Sequence, residues 1–247
     1  MKLADSTWPE VDAFGREGVV LVPTASLEQH GPHLPLLTDT ILATAVAEAV
    51  ERSLPDQVLL TPTLWLGASG HHLKFAGTLS ASFAGYVASI ESVVESLVPH
   101  GFRKFYLING HGGNTAPNQV ATRSLNQKYP DLVLGRAGYF DFLTAEHFQV
   151  LEGPFKTIRH ACEAEVSLML HVRPDLVRTD KLRDDGLAPE PKAIGLELAF
   201  DEITEQGSLG KATLATAEKG RVLFEAAVAG VVAEIKAVAE GFALVGE

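Results

Sequence analysis

The chain has 247 residues and a formal net charge of −11, from 20 Lys and Arg against 31 Asp and Glu. That acidic balance excludes a general nucleic-acid binder, which needs a basic face for phosphates, and argues against docking on an anionic membrane surface. Apolar residues make up 46% and charged residues 21%, which excludes a disordered chain and allows one globular domain over 1–247.

The run Gly18-Val19-Val20-Leu21-Val22-Pro23 is continuously apolar and β-branched, as expected of a strand buried on both faces of a parallel sheet. Residues 39–52 follow with Ile41, Leu42, Ala45, Val46, Ala49 and Val50 at helical spacing and Thr38 or Asp39 as N-cap. A second strand is expected at 57–61 and a helix at 83–98, closed by Gly101. Then come a strand at 104–108, a helix at 115–128 and a strand at 132–134. A helix at 161–171 precedes a poorly patterned stretch, 173–216, with Pro174, Pro189 and Pro191. That length is unusual for a loop and reads as a functional lid or an interface. A last helix spans 218–239. The alternation predicts an α/β chain, a three-layer α/β/α sandwich around a mostly parallel sheet. No apolar run reaches the roughly 18 residues of a membrane span, and the N-terminus lacks a signal-peptide pattern. The lone Cys162 excludes an internal disulfide and fits a reducing cytoplasm.

Two loops at expected strand ends carry chemistry. Glu28, His30 and Asp39 follow the first strand, a mixed N/O set suited to Zn, Mn or Fe, unless the loop is merely polar and Asp39 only caps a helix. Asn109-Gly110-His111-Gly112-Gly113-Asn114 follows the third strand. Its glycines let backbone approach a ligand, and His111 favours ligation over an anion cradle. His160, Glu163 and Glu165 open a helix, where acidic residues also serve as dipole partners. His71 and His72 line the same mouth or form an ordinary exposed pair.

Together these residues resemble the creatininase family of metal hydrolases. The matching pieces are Pro23, Ser26-Leu27-Glu28-Gln29-His30-Gly31-Pro32-His33-Leu34-Pro35, Thr38-Asp39, Gly77-Thr78, 109–114, Glu163-Ala164-Glu165-Val166-Ser167 and 215–220. The resemblance covers nearly the whole chain. It implies a homohexamer with two divalent metal ions per chain (Zn, Mn or Fe). It also implies an amidohydrolase that cleaves a C–N bond of a small molecule with metal-activated water. By position Glu28, His30, Asp39 and His111 match metal ligands, Asp39 the bridging one, and His160 matches a catalytic His beside the substrate. In the family's namesake the last ligand is a Glu where this chain has Gly113. Glu163 is expected to replace it, with Glu165 as runner-up and otherwise as proton carrier. The namesake's tryptophans align with Phe140 and Lys156, which with His72 are expected at the substrate and point from creatinine toward an anionic amide. The loop's Gly-Gly form is closer to family members such as a mycofactocin-maturation peptidase and a formamidopyrimidine deformylase. A non-catalytic binder of an anionic metabolite, and an isomerase or lactonase on the same scaffold, are the competing readings.

Overall fold

The computed structural model describes residues 1–188 and 196–241. In chain order its elements are α1 (Trp8–Ala13), β1 (Val19–Thr24), α2 (Thr38–Ser53), β2 (Val58–Leu60), α3 (Phe83–Leu97), β3 (Lys104–Asn109), α4 (Thr115–Lys128), β4 (Val133–Gly138), α5 (Glu163–Val172), β5 (Asp184–Asp185), α6 (Phe200–Ile203), β6 (Gly210–Lys211) and α7 (Ala217–Glu240). The four long strands form one parallel sheet in the order β2-β1-β3-β4.

β1 explains the layering. Val19 and Leu21 face one core and Val20 and Val22 the other, and all four are fully buried. The first core is filled from α2, α5 and α7, the second from α3 and α4. Each fully buried aliphatic side chain stabilises the fold by about 1.5–3 kcal/mol, which is why the β-branched runs sit in the middle layer. Among the described residues no helix is long and apolar enough to cross a membrane.

One local expectation needs correction. Neither Thr38 nor Asp39 caps α2: Leu37 holds the cap position, Thr38 Oγ1 donates to the Pro35 carbonyl at 2.7 Å, and Asp39 lies in the first turn. Asp39 is thereby freed to point at the loops above the sheet. The poorly patterned stretch is built on short elements. β5 and β6 pair antiparallel, and the Asp184 carboxylate accepts from the Thr213 backbone at 3.1 Å and hydroxyl at 2.8 Å. Pro189 and Pro191 lie outside the described residues.

Candidate metal centre

The loops after β1, β2 and β3 and the turn before α5 converge at the C-terminal edge of the sheet, where open parallel sheets place their sites. Polar side chains stitch them together. Asn114 donates to the Ala25 carbonyl and accepts from the Ala68 N–H, both at 2.9 Å, tying three loops. Asn109 accepts from the His111 N–H at 3.1 Å and donates to its carbonyl at 2.6 Å. Both asparagines therefore frame the glycine loop rather than enter the site.

Glu28, His30, Asp39, His111 and Glu165 are all buried and meet there, with His160 at their edge. His30 Nε2 lies 3.0 Å from Asp39 Oδ1 and 3.6 Å from Glu165 Oε2. His111 Nδ1 lies 3.1 Å from Asp39 Oδ2 and 3.2 Å from Glu28 Oε1. Ser26 Oγ donates to Asp39 Oδ2 at 2.6 Å and fixes its plane.

The far side of each ring decides what the near side can do. His30 Nδ1 sits 3.1 Å from the Glu28 carbonyl, His111 Nε2 3.2 Å from that of Ala68, and His160 Nε2 2.6 Å from that of Gln29. A carbonyl only accepts, so each of these nitrogens carries a proton and donates. Each opposite nitrogen faces carboxylates, which against burial raise the His30 ring to about 10 and the His111 ring well above its ordinary value; a bound cation would displace those protons, as at metal-ligating histidines held by backbone carbonyls. Both Glu28 carboxylate oxygens are buried without a hydrogen-bond donor, although ring nitrogens stand near them. Ring nitrogens gathered around buried carboxylates fit a cation held between them. Among the described residues, three sets lie close enough to hold an ion: Glu28, Asp39 and His111; His30, His160 and Glu165; and Glu28, His72 and His160.

Burial opposes charge on Asp39, but the His30 and His111 rings keep its carboxyl well below the usual range. Burial pushes the Glu165 carboxyl up and holds the His160 ring far below an ordinary histidine, hence neutral. Burial likewise lowers His72, to about 3.

Glu163, expected to replace the missing ligand, is placed elsewhere. Its Oε1 accepts from Lys219 Nζ at 2.7 Å and the Glu152 N–H at 2.8 Å, and its Oε2 from the Gly153 N–H at 2.7 Å. A buried ammonium and two backbone donors saturate it on the α7 side. Glu165, two positions on, leaves the opposite side of α5 and reaches His30. Ala161, at φ 47°, turns the chain sharply enough for its N–H to meet the Glu165 carboxylate. Gly113 also has a structural reason. A Cβ there would stand 2.5 Å from both the Ala68 carbonyl and His111 Nε2, so no side chain fits. Gly113→Ala is expected to turn the His111 ring and to weaken metal binding at least tenfold, as losing an outer-shell partner does. Unchanged zinc affinity by competition with a chelating dye would refute this.

Above the cluster lies a cavity of about 270 Å³, near the lower bound for small-molecule pockets. His72 and Phe140 line it, and Lys156 does not. The segment bearing Lys156 is drawn toward α7 by the Glu163 contacts, and its ammonium donates to the Leu151 carbonyl. Sequence reasoning missed Arg159 and Phe200, which do line the cavity. The Phe200 ring covers His72 and His160 at centroid distances of 4.0 and 4.6 Å. Arg159 was readable as the neighbour of His160, whereas nothing in the unpatterned stretch marked Phe200.

A family model described as creatininase, creatinine amidohydrolase, matches residues 4–235. A mycofactocin precursor peptide peptidase of Mycobacterium ulcerans (strain Agy99) is 34% identical over 89% of this chain and 81% of its own length. A creatinine amidohydrolase of Pseudomonas putida is 30% identical over 95% of each chain. The structure of a Glu→Gln mutant creatininase of Zn–Zn type superposes with a TM-score of 0.82 at 29% identity, covering 95% of this chain and 96% of that one.

Proposed function

This chain belongs to the creatininase family of hydrolases, and we propose that it is a binuclear metal-dependent amidohydrolase cleaving a C–N bond in a small, anionic substrate. The observation that carries this reading is the set of inward-turned ring nitrogens facing Glu28, Asp39 and Glu165, with the Glu28 oxygens left without donors. In this reading Glu28, Asp39 and His111 hold one divalent ion, and His30, Asp39 and Glu165 the other. Zn, Mn or Fe suits such a mixed N/O set. Two such ions would supply Lewis acidity, polarising the scissile carbonyl and making a water more acidic.

The remaining work falls to this chain's own groups. Nδ1 of His160 is the basic atom on the substrate side, because its Nε2 proton is committed to the Gln29 carbonyl. It takes a proton from the attacking water and returns it to the leaving nitrogen. The rings of Phe140 and Phe200 wall the cavity and keep water away from the reacting carbon. In this reading Arg159, which lines the cavity where Lys156 does not, takes the specificity role; its guanidinium stacks 4.1 Å from the Phe155 ring centre. A planar guanidinium matches a carboxylate in two-point contact. The same reading takes the chain as a cytoplasmic enzyme assembled from like copies, six by family resemblance, with exposed Trp65, Leu73, Leu79 and Phe83 at the contacts.

The test is turnover of N-acyl amino acids, short peptides and creatinine by zinc- or manganese-loaded protein. Arg159→Met is expected to raise KM for the carboxylate-bearing amide roughly tenfold or more, the loss of about 1.5–3 kcal/mol for a charged hydrogen bond. KM for the neutral amide analogue stays put, and Lys156→Met changes neither. Equal effects of Arg159→Met on both substrates would dismiss the anionic class.

A further inference from the structure

Gln29 lies inside the first motif but ligates nothing. It is buried at the foot of the site, and its backbone N–H donates to Thr78 Oγ1 at 3.0 Å. Its side-chain Oε1 accepts from the Gly31 N–H at 3.0 Å. A backbone N–H can only donate, so this bond fixes which end of the amide is oxygen. A close approach from the stretch after α6 holds it there: a Cβ on Gly207 would stand 1.9 Å from that same Oε1.

The amide nitrogen therefore faces the other way, 2.8 Å from His72 Nδ1. An amide NH2 only donates, so Nδ1 of His72 must accept and the ring's proton sits on Nε2. That nitrogen stands 3.2 Å from Glu28 Oε1, a charge–dipole contact that is not aligned as a hydrogen bond. His160 is the opposite case. Its Nε2 is 2.6 Å from the Gln29 carbonyl and so keeps its proton, leaving Nδ1 bare. The 3.0 Å approach of the Gln29 amide nitrogen to that protonated Nε2 sets two donors together and is a contact only.

We infer that Gln29 is a positioning residue that sets the tautomers of two site histidines: its carbonyl turns the bare nitrogen of His160 toward the cluster, and its amide makes His72 an N–H donor beside Glu28. Glu28, His72 and His160 lie close enough together to hold an ion. With its proton on Nε2, His72 brings no lone pair to that set. It is excluded as a ligand and instead holds Glu28 toward the Asp39 and His111 side through the N–H dipole. The consequence for metal number rests on the two-ion reading above, while the tautomers themselves do not.

Neutron diffraction from deuterium-exchanged crystals of the metal-free protein reads the ring protons directly. Deuterium is expected on Nε2 of both His72 and His160 and on neither Nδ1. Deuterium on His72 Nδ1 overturns the inference. In Gln29→Glu the ionised side chain can only accept, so the deuterium of His72 moves to Nδ1, and a ring unchanged from wild type counts against Gln29 as its cause. Should that variant not fold, His72 itself decides. His72→Gln keeps an N–H donor and retains zinc affinity within about threefold, whereas His72→Leu loses roughly 10–100-fold. Equal affinities in the two variants refute the donor role. Anomalous maps from zinc-soaked crystals separate the two readings. A zinc peak bonded to His72 defeats the exclusion, and no zinc at all defeats the metal centre while the neutron result stands.

Discussion

Asp39→Ala is expected to strip both metal positions. Asp39 is the carboxylate that touches both proposed histidine ligands, Oδ1 at 3.0 Å from His30 and Oδ2 at 3.1 Å from His111. Removing it leaves His30 with Glu165 and His111 with Glu28, a single carboxylate for each cation. Losing an outer-shell partner already weakens a metal about 10–100-fold, and losing a ligand shared by two ions exceeds this at both positions. Lewis-acid stabilisation of several kcal/mol goes with the ions, and about 4 kcal/mol is a thousandfold in rate. The fold should survive, because Asp39 sits above the sheet in the first turn of α2 and contributes to neither apolar core. His30→Ala, which touches one position, should mainly weaken one ion. Elemental analysis after dialysis checks the pair. Full metal content in a folded Asp39→Ala protein would remove this residue from the site.

The same position illustrates what a sequence can disclose. Glu28, His30, Asp39 and His111 were legible as candidates because each stands shortly beyond a buried, largely apolar strand, or opens the helix that follows one. The sheet then delivers them to one edge whatever the loops do in detail. The strands themselves were legible because burial on both faces demands continuous apolar residues, as in β1. Glu163 misled for a definite reason. Its spacing from His160 put both on one helical face, but the His160–Cys162 segment is not helical, and Ala161 reverses the chain. No periodicity could foretell that Lys219, more than fifty residues on, would draw Glu163 toward α7. Lys156 failed with it, since the backbone around 152–157 follows the Glu163 carboxylate. Phe200 reaches the site through long-range contacts of a segment without periodicity, such as the 2.6 Å pair of Lys74 with Asp201. Local pattern carries no trace of such pairs.

The two glutamates of α5 give the sharpest separation of ligand from scaffold. Glu165→Gln keeps volume and removes charge at a buried position 3.6 Å from His30 Nε2. It is expected to lower occupancy of the second ion and to depress kcat by two orders of magnitude or more, about 2.7 kcal/mol. Its effect on the fold is small or favourable, because burial already opposes that charge. Glu163→Gln should do the reverse. It breaks the pair with Lys219, whose ammonium keeps Glu152 at 2.6 Å and the Leu214 carbonyl at 2.7 Å. Severing a buried pair costs about 3–5 kcal/mol when nothing remains, so with those two contacts retained the loss is roughly 2 kcal/mol. For a chain of this size that lowers Tm by about 4–8 °C. The Glu152 and Gly153 backbone donors lose part of their acceptor as well, so the loop leading to Arg159 loosens and KM rises while metal content holds. Zinc stoichiometry and a melting curve on the two variants decide the matter. Metal loss in Glu163→Gln, with Glu165→Gln intact, would exchange their roles and require α5 to be rotated from the orientation described.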